Sequence, residues 1–386
     1  MNKSSKKTLI LCYEYEGEES RNANAICMYN LLSHVEDKSN FSVITSIAGK
    51  PEKYFIDDIC IYNLNKNSQY NNSVHIKEVL NIFKDDAVDF INDLAKHKHF
   101  DNLVCVGFPY IILEIGKEVK LTNPKISLII YQLDPYAFNS LLRFPKLLFT
   151  YRWIKERKVF ESANKIFLTD QLYNLYSNNI YKRFKSKFVK LGIPMLSIHS
   201  DNYVKNTGSD NKIVYTGALS KKFRDPTFML KLFCMIKDED WTLHIYGADR
   251  SALDEQYVNL LGNKLVIHDA VPRSDIPNIL KEASFLINIS NVTTIQLPSK
   301  ILDYIGFRKP IINLTTVKND ICEQLLERYP VKLLIMENTE NEKFLAGKLQ
   351  LFIQQYNNHI CDKNIIEANY KEFTVKRIYE KFIVEL

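Results

Sequence analysis

Short, unbroken apolar runs alternate with longer amphipathic segments along almost the whole chain, and this rhythm limits the fold more than any other feature. Such alternation is the βαβ pattern of parallel sheets covered by helices. In the first half, strands are expected at 8–13 (TLILCY), 41–46 (FSVITS), 102–107 (NLVCVG), 126–132 (ISLIIYQ), 165–169 (KIFLT) and 187–192 (KFVKLG). Helices are expected over 20–35, 76–97 and 145–163, and the Asn-rich stretch 63–73 reads as a surface loop. Residues 193–211 break the pattern with proline, glycine, serine and asparagine, and read as a linker. The rhythm restarts with strands at 212–217, 241–247, 264–269, 284–290, 309–314 and 331–336, with a helix between each pair. The expected fold class is α/β: two Rossmann-like, doubly wound domains, 1–192 and 212–365, facing a cleft. Residues 366–386 read as one amphipathic helix whose aromatic stripe has to pack on something, the first domain being one surface for it.

At 386 residues the chain is long enough for two such domains. Hydrophobic residues at 46% and charged residues at 25% fit a globular protein. A formal charge of +6 suits an anionic small ligand or an acidic membrane surface, and is too weak to argue for nucleic acid. Seven scattered cysteines without a C-x-x-C pair read as buried free thiols in a reducing compartment. His97 and His99 share one side of an extended segment, but their polar run AKHKHF reads as a solvated helix end, so no metal ligand is expected. No apolar run reaches the roughly eighteen residues of a spanning helix, and TLILCY is too short for a secretion signal, which needs about 7–15 apolar residues. The expected location is cytoplasmic.

In open α/β sheets ligands sit beyond the carboxyl ends of the strands, so chemistry is expected in the loops there. After the strand SFLINIS comes the loop NVTTIQL and a helix opening PSKILDYIGF. Pro298 fits the first turn, where its missing N–H costs nothing. The free N–H groups around Ser299 and Lys300, the helix dipole and the Lys300 ammonium make an anion site. Asp303 lies one turn on, on the same face as Lys300; beside a phosphate it would contact a neutral donor such as a ribose hydroxyl. The other reading is a helix cap with a surface Lys–Asp pair. The first loop of this domain, YTGALSKKFRDP, adds Gly217, which lets the backbone approach a ligand, and the basic residues Lys222 and Arg224.

At this point the residues resemble a family. YTGALSKKFRDP, LHIYG, VIHDAVPRSDIPNILKEASFLINIS and QLPSKILDYIGFRKPII together are similar to the C-terminal domain of GT-B-fold glycosyltransferases, in the large bacterial group that resembles glycosyltransferase family 4. The resemblance covers about 212–315 well and the first half more loosely. It implies nucleotide-sugar binding in the C-terminal domain, acceptor binding in the N-terminal domain, and transfer with retained anomeric configuration, with no cofactor beyond the donor. Carried over by position, Gly217 is the glycine of the first loop, and Lys222 or Arg224 the phosphate-binding base. Ser299 and Lys300 hold the diphosphate, Asp303 the ribose, and 269–273, ending in Arg273, lies against the nucleobase. The chain departs from the family at Ile295, where many relatives have a second glutamate; Thr294 and Gln296 are the neighbours able to contact the sugar instead.

In the first domain, 13–32 resembles the family loop that lies over the donor, with Gly17 as its only glycine; Arg21 and Asn22 meet a sugar or phosphate, or simply cap a helix. Asp134 follows a buried strand and resembles an aspartate that orients or deprotonates an acceptor hydroxyl; an Asp-Pro turn is the plainer reading. Segment 140–160 carries six basic residues against one acidic, interleaved with aromatics, and reads either as a helix on an anionic bilayer, near a lipid-linked acceptor, or as an ordinary covering helix. The expected activity is transfer of a sugar from a nucleotide-diphosphate donor to a glycan, lipid-linked or protein hydroxyl, without a metal, Lys300 stabilising the leaving diphosphate. A nucleotide-sugar epimerase and a non-catalytic partner subunit remain as alternatives.

Overall fold

The computed structural model describes residues 6–65, 76–139, 146–200, 211–237, 240–292 and 295–386. The chain divides into two compact units, Met1–Pro194 with Val375–Leu386, and Met195–Thr374. The Thr294 contact and most of the Asn-rich 63–73 loop lie outside the described residues.

The first unit contains β1 (Thr8–Leu11), α1 (Ala23–Leu32), β2 (Phe41–Thr45), β3 (Lys53–Ile56), β4 (Ile59–Asn63), α2 (Ile76–His97), β5 (Asn102–Val106), α3 (Ile111–Thr122), β6 (Ser127–Gln132), α4 (Lys146–Ser162), β7 (Lys165–Leu168), α5 (Asp170–Ser177) and β8 (Phe188–Lys190). Its eight-stranded sheet has the order β3-β4-β2-β1-β5-β6-β7-β8. Every pair is parallel except β3–β4. The expected strands are present, and the β3–β4 hairpin is an addition. It turns on Asp57 and Asp58, both with positive φ, as a tight two-residue hairpin requires. The alternating exposure of β3 marks it as an edge strand. Asn22 caps α1 by accepting from Ala25 N at 2.8 Å, which is the plainer of its two readings.

The second unit contains β9 (Asn211–Thr216), α6 (Thr227–Cys234), β10 (Trp241–Tyr246), α7 (Glu255–Leu261), β11 (Leu265–His268), α8 (Ile276–Glu282), β12 (Phe285–Ile289), α9 (Lys300–Phe307), β13 (Ile311–Thr315), α10 (Ile321–Leu326), β14 (Lys332–Met336), α11 (Glu342–Gln355) and α12 (Lys363–Tyr370). Its six strands are all parallel, in the order β11-β10-β9-β12-β13-β14. The strand order reverses between β9 and β12, the crevice where doubly wound sheets bind ligands.

The C-terminal segment departs from the single helix expected over 366–386. Helix α12 ends at Tyr370, and α13 (Val375–Glu385) starts after a break and belongs to the first unit. Its stripe Val375, Ile378 and Phe382 is buried, and the last two join the core of β1, β5, β6 and β7. Of the linker expected over 193–211, residues 201–210 lie outside the described residues. Met195–Ser200 belong to the second unit and run along α9: His199 N donates to Gly306 O at 3.1 Å, and its ring stacks on Phe307. Gly306 permits this, because a Cβ there would stand 2.1 Å from Ser197 O. Gly306→Ala is expected to lower stability by about 1–3 kcal/mol, the usual cost of overpacking. An unchanged denaturation midpoint would show that the 195–199 segment can step aside freely.

Candidate functional site

Two loops meet at the reversal of the second sheet. The one after β9 starts with Gly217 at φ +112, a conformation that favours glycine, and its N–H donates to Tyr246 O at 2.9 Å. The loop then closes on itself: Arg224 N donates to Ser220 O at 2.8 Å and Ser220 N to Arg224 O at 3.2 Å. This turn sends the Arg224 guanidinium toward the second loop, where Nε donates to Asn291 Oδ1 at 2.7 Å. Asn291 is buried, and its amide donates to Gln296 O at 3.0 Å, so one side chain ties both loops together.

Helix α9 follows the second loop. Pro298 is buried just before it, and Ser299 stands at the cap in helical conformation with no side-chain capping bond, leaving its hydroxyl for other partners. Tyr304 anchors the helix to the end of β9, where its hydroxyl accepts from Thr216 N at 3.0 Å. Burial pushes that phenol up to about 12, so it stays protonated.

Lys300 is the unusual group. Its Nζ is sealed from solvent, has no hydrogen-bond partner among the described residues, and lies 3.5 Å from the centroid of the Tyr215 ring. The side chain also passes the Gly217 backbone, since a Cβ on that glycine would sit 4.0 Å from Lys300 Cδ. Burial, with the Arg224 charge adding to it, holds the ammonium pKa well below its ordinary value. A tyrosine face attracts a cation but does not neutralise it. A buried cation without a counter-ion is costly. Two positive groups, a glycine turn and an uncapped helix start therefore share one point at the sheet reversal. Chemically, the arrangement can receive a compact, multiply charged anion.

The other expected residues divide. Asp303 is paired within the fold: Arg273 Nη2 bridges its two oxygens at 3.1 and 2.9 Å. Burial raises the Asp303 pKa while Arg273 opposes the rise. Lys222 is exposed, with Nζ 5.0 Å over the Phe223 ring, and is not seen among the contacts of the Lys300 group. Gln296 contributes through its backbone carbonyl. The basic turn after α9 is structural: Arg308, left-handed at φ +58, is buried at the far end of the helix, where it donates to Cys361 O. Asn291, Tyr215 and Tyr304 escaped the sequence reading; only the position of Asn291 immediately after a strand signalled it.

In the first unit Asp134 is exposed just after β6. Its loop is held from within. Glu156 of α4 is buried and accepts from Gln132 at 2.6 Å, from the Tyr176 and Tyr181 hydroxyls, and from the N–H groups of Tyr136 and Ala137. His97 and His99 are exposed beside Asp93 and Asp101. Among the described residues no three His, Cys, Asp or Glu stand close enough to hold a metal, and no helix is long and apolar enough to cross a membrane.

The Lys300 geometry sets a pH signature. A lysine with a depressed folded pKa binds fewer protons folded than unfolded, so its contribution to stability rises with pH until the unfolded lysine titrates near about 10.4. The stability of the wild type relative to Lys300→Met is therefore expected to rise between pH 7 and 9. A nucleoside diphosphate should abolish the slope by restoring a counter-ion. Parallel denaturation curves for the two proteins across that range would contradict it.

Residues 210–352 match the family model described as glycosyl transferases group 1. No curated protein matches the sequence. Among solved structures, HepE of Anabaena in complex with UDP-glucose superposes with a TM-score of 0.63 at 12% identity, covering 98% of both chains. A glycosyltransferase from Rickettsia africae gives 0.63 at 13%, covering 99% of this chain and 98% of that one. A UDP-N-acetylglucosamine 2-epimerase of Listeria monocytogenes, so described as putative, gives 0.60 at 12%, covering 98% and 95%. The chain thus has the GT-B fold, and its second unit is similar to the group 1 glycosyl transferases over residues 210–352.

Proposed function

We propose that the protein transfers a sugar from a nucleotide-diphosphate donor to an acceptor hydroxyl, with retention of anomeric configuration. The observation that carries this reading is the buried, partnerless Lys300 ammonium beside Arg224 at the reversal of the second sheet. A diphosphate supplies the missing charge. The family model over 210–352 and the UDP-glucose bound to HepE support a sugar nucleotide as its bearer.

In this reading Lys300, Arg224 and the N–H groups at the start of α9 receive the diphosphate. Negative charge grows on it as the sugar–phosphate bond opens toward an oxocarbenium-like state. The lysine and arginine take the role that a metal ion has in other transferases. Gly217 leaves room for the phosphates, and Ser299 donates its uncommitted hydroxyl. The Arg273–Asp303 pair lies one turn deeper along α9. There the carboxylate holds the guanidinium and keeps lone pairs for ribose hydroxyls, while the guanidinium faces the base. Ile295 leaves the sugar contact to Gln296 and its neighbours, so sugar choice rests on hydrogen bonding rather than on a second carboxylate. Asp134, at the end of β6, orients the acceptor hydroxyl, which belongs to a glycan or to a lipid-linked or protein acceptor.

Calorimetry with UDP and other nucleoside diphosphates, followed by incubation with labelled nucleotide sugars with and without membrane extract, tests the reading. Lys300→Ala is expected to weaken diphosphate binding and to lower turnover by about 10²–10³-fold, the usual loss of a group that stabilises developing charge. Wild-type turnover in that variant removes Lys300 from the mechanism. Asp134→Asn should lower turnover while leaving diphosphate binding intact. Isomerised donor in the absence of any acceptor would favour epimerisation, and failure to bind any nucleoside diphosphate would favour a partner subunit.

A further inference from the structure

Helix α4 carries apolar side chains on two faces, and the fold uses one of them. Glu156, Val159 and Phe160 are buried inside the first unit. Leu147, Leu148, Tyr151 and Ile154 face outward and are 85%, 37%, 54% and 40% exposed. Spacings of four and three residues align Leu147, Tyr151 and Ile154 along the helix, and exposed Lys158 continues the line four residues later. A contiguous apolar line on a surface helix marks an interaction site when nothing in the chain covers it.

The charges around the line select the partner. Helix α4 contains five basic and two acidic residues. Neither acid is left to repel an anion. Glu156 is buried on its donors, and Glu161 is paired with Arg157 at 3.3 Å and with Arg183. The adjacent Glu114 of α3 is paired at 2.8 Å with Lys155, whose Nζ also lies 5.0 Å from the Tyr151 ring. What remains is leucine, isoleucine and tyrosine bordered by lysine, the composition that settles at the boundary between headgroups and acyl chains. A second copy of the chain fits less well. Self-association about a twofold axis would set this basic line against itself, and one line of three or four side chains is short of the area that a stable dimer buries.

We infer that the outer face of α4 docks on an anionic lipid bilayer. Leu147, Tyr151 and Ile154 enter the headgroup–acyl boundary, and Lys158 lies at the level of the lipid phosphates. The start of α4 packs on the segment that follows Asp134: Phe149 meets Phe138 edge-on at 5.3 Å, and Arg152 donates to Tyr136 O at 3.4 Å. A docked helix therefore holds the Asp134 loop close to the membrane. The docking stands apart from the sugar-transfer reading; only its purpose, meeting an acceptor carried by a lipid, rests on that reading.

Co-sedimentation of the purified full-length protein with vesicles tests the inference. Vesicles of phosphatidylcholine alone are compared with vesicles containing phosphatidylglycerol, at low and high salt, for the wild type and for Leu147→Glu with Ile154→Glu. The wild type is expected to sediment with the anionic vesicles, to be released by salt, and to lose at least about tenfold in partitioning in the double variant. Both positions are exposed, so the melting midpoint should stay put. Should the double variant fail to fold, a fluorophore on Leu147→Cys gives the same answer through a blue shift on anionic vesicles alone. Three outcomes overturn the proposal: no wild-type binding to anionic vesicles, equal binding by the double variant, or a dimer that the double variant converts to monomer, which assigns the face to a second copy. UDP binding, measured on the same preparations, should be equal in both proteins, so loss of docking and failure of the donor reading are told apart.

Discussion

The second unit is organised around a positive charge with no counter-ion among the described residues. Lys300 sits at the first position of α9, where the helix dipole disfavours a cation. Its ammonium is sealed against the Tyr215 ring, and the nearby Arg224 charge repels it further. Burial, the dipole and a like charge all act in the same unfavourable direction. Such an arrangement persists only where the surrounding structure forces it, and it lowers the energy of any anion that enters. In the proposed function, the stability cost of this charge is the physical counterpart of affinity for the diphosphate.

What forces the arrangement is a set of short polar links between elements. Tyr304 ties α9 to the end of β9, Asn291 ties the Arg224 loop to the loop before α9, and Asn288, Ser290, Asn313 and Asp320 cross-link the carboxyl ends of β12 and β13. In each link a buried donor meets an acceptor, so breaking one strands a polar group in a dry interior. The links therefore hold the cationic groups in place, which in the proposed function removes much of the ordering cost of binding.

The first unit uses the same device with the sign reversed. Glu156 is a buried carboxylate whose pKa is raised by burial, while its side-chain and backbone donors oppose the rise. Two of those donors are N–H groups of the loop that carries Asp134. Burial of one charge thus shapes a loop whose own carboxylate is exposed. Helix α4 supplies the buried Glu156 from its inner face and turns an apolar line outward.

Periodicity alone carried the architecture. Runs such as LVCV and LIIY are apolar at every position because they are covered on both faces, and that leaves a local mark. The helix start at Pro298–Ser299 and the glycine at 217 are likewise local features, so the core of the candidate site was legible. The β3–β4 hairpin was not: its strands are short, one lies at an edge, and two aspartates stand where asparagine and glycine are usual. The break between α12 and α13 was hidden by aromatic residues that continue the stripe across it. Tertiary structure alone decided which charges stay unpaired. Lys222 and Arg224 are equivalent in sequence, yet the turn at Ser220 sends one outward and one to Asn291; Asp303 and Arg273 lie thirty residues apart and meet only once β12 and α9 are in place. Sequence fixes what each segment can bury, while the pairing of long polar side chains depends on contacts between distant segments, and those exist only in the folded chain.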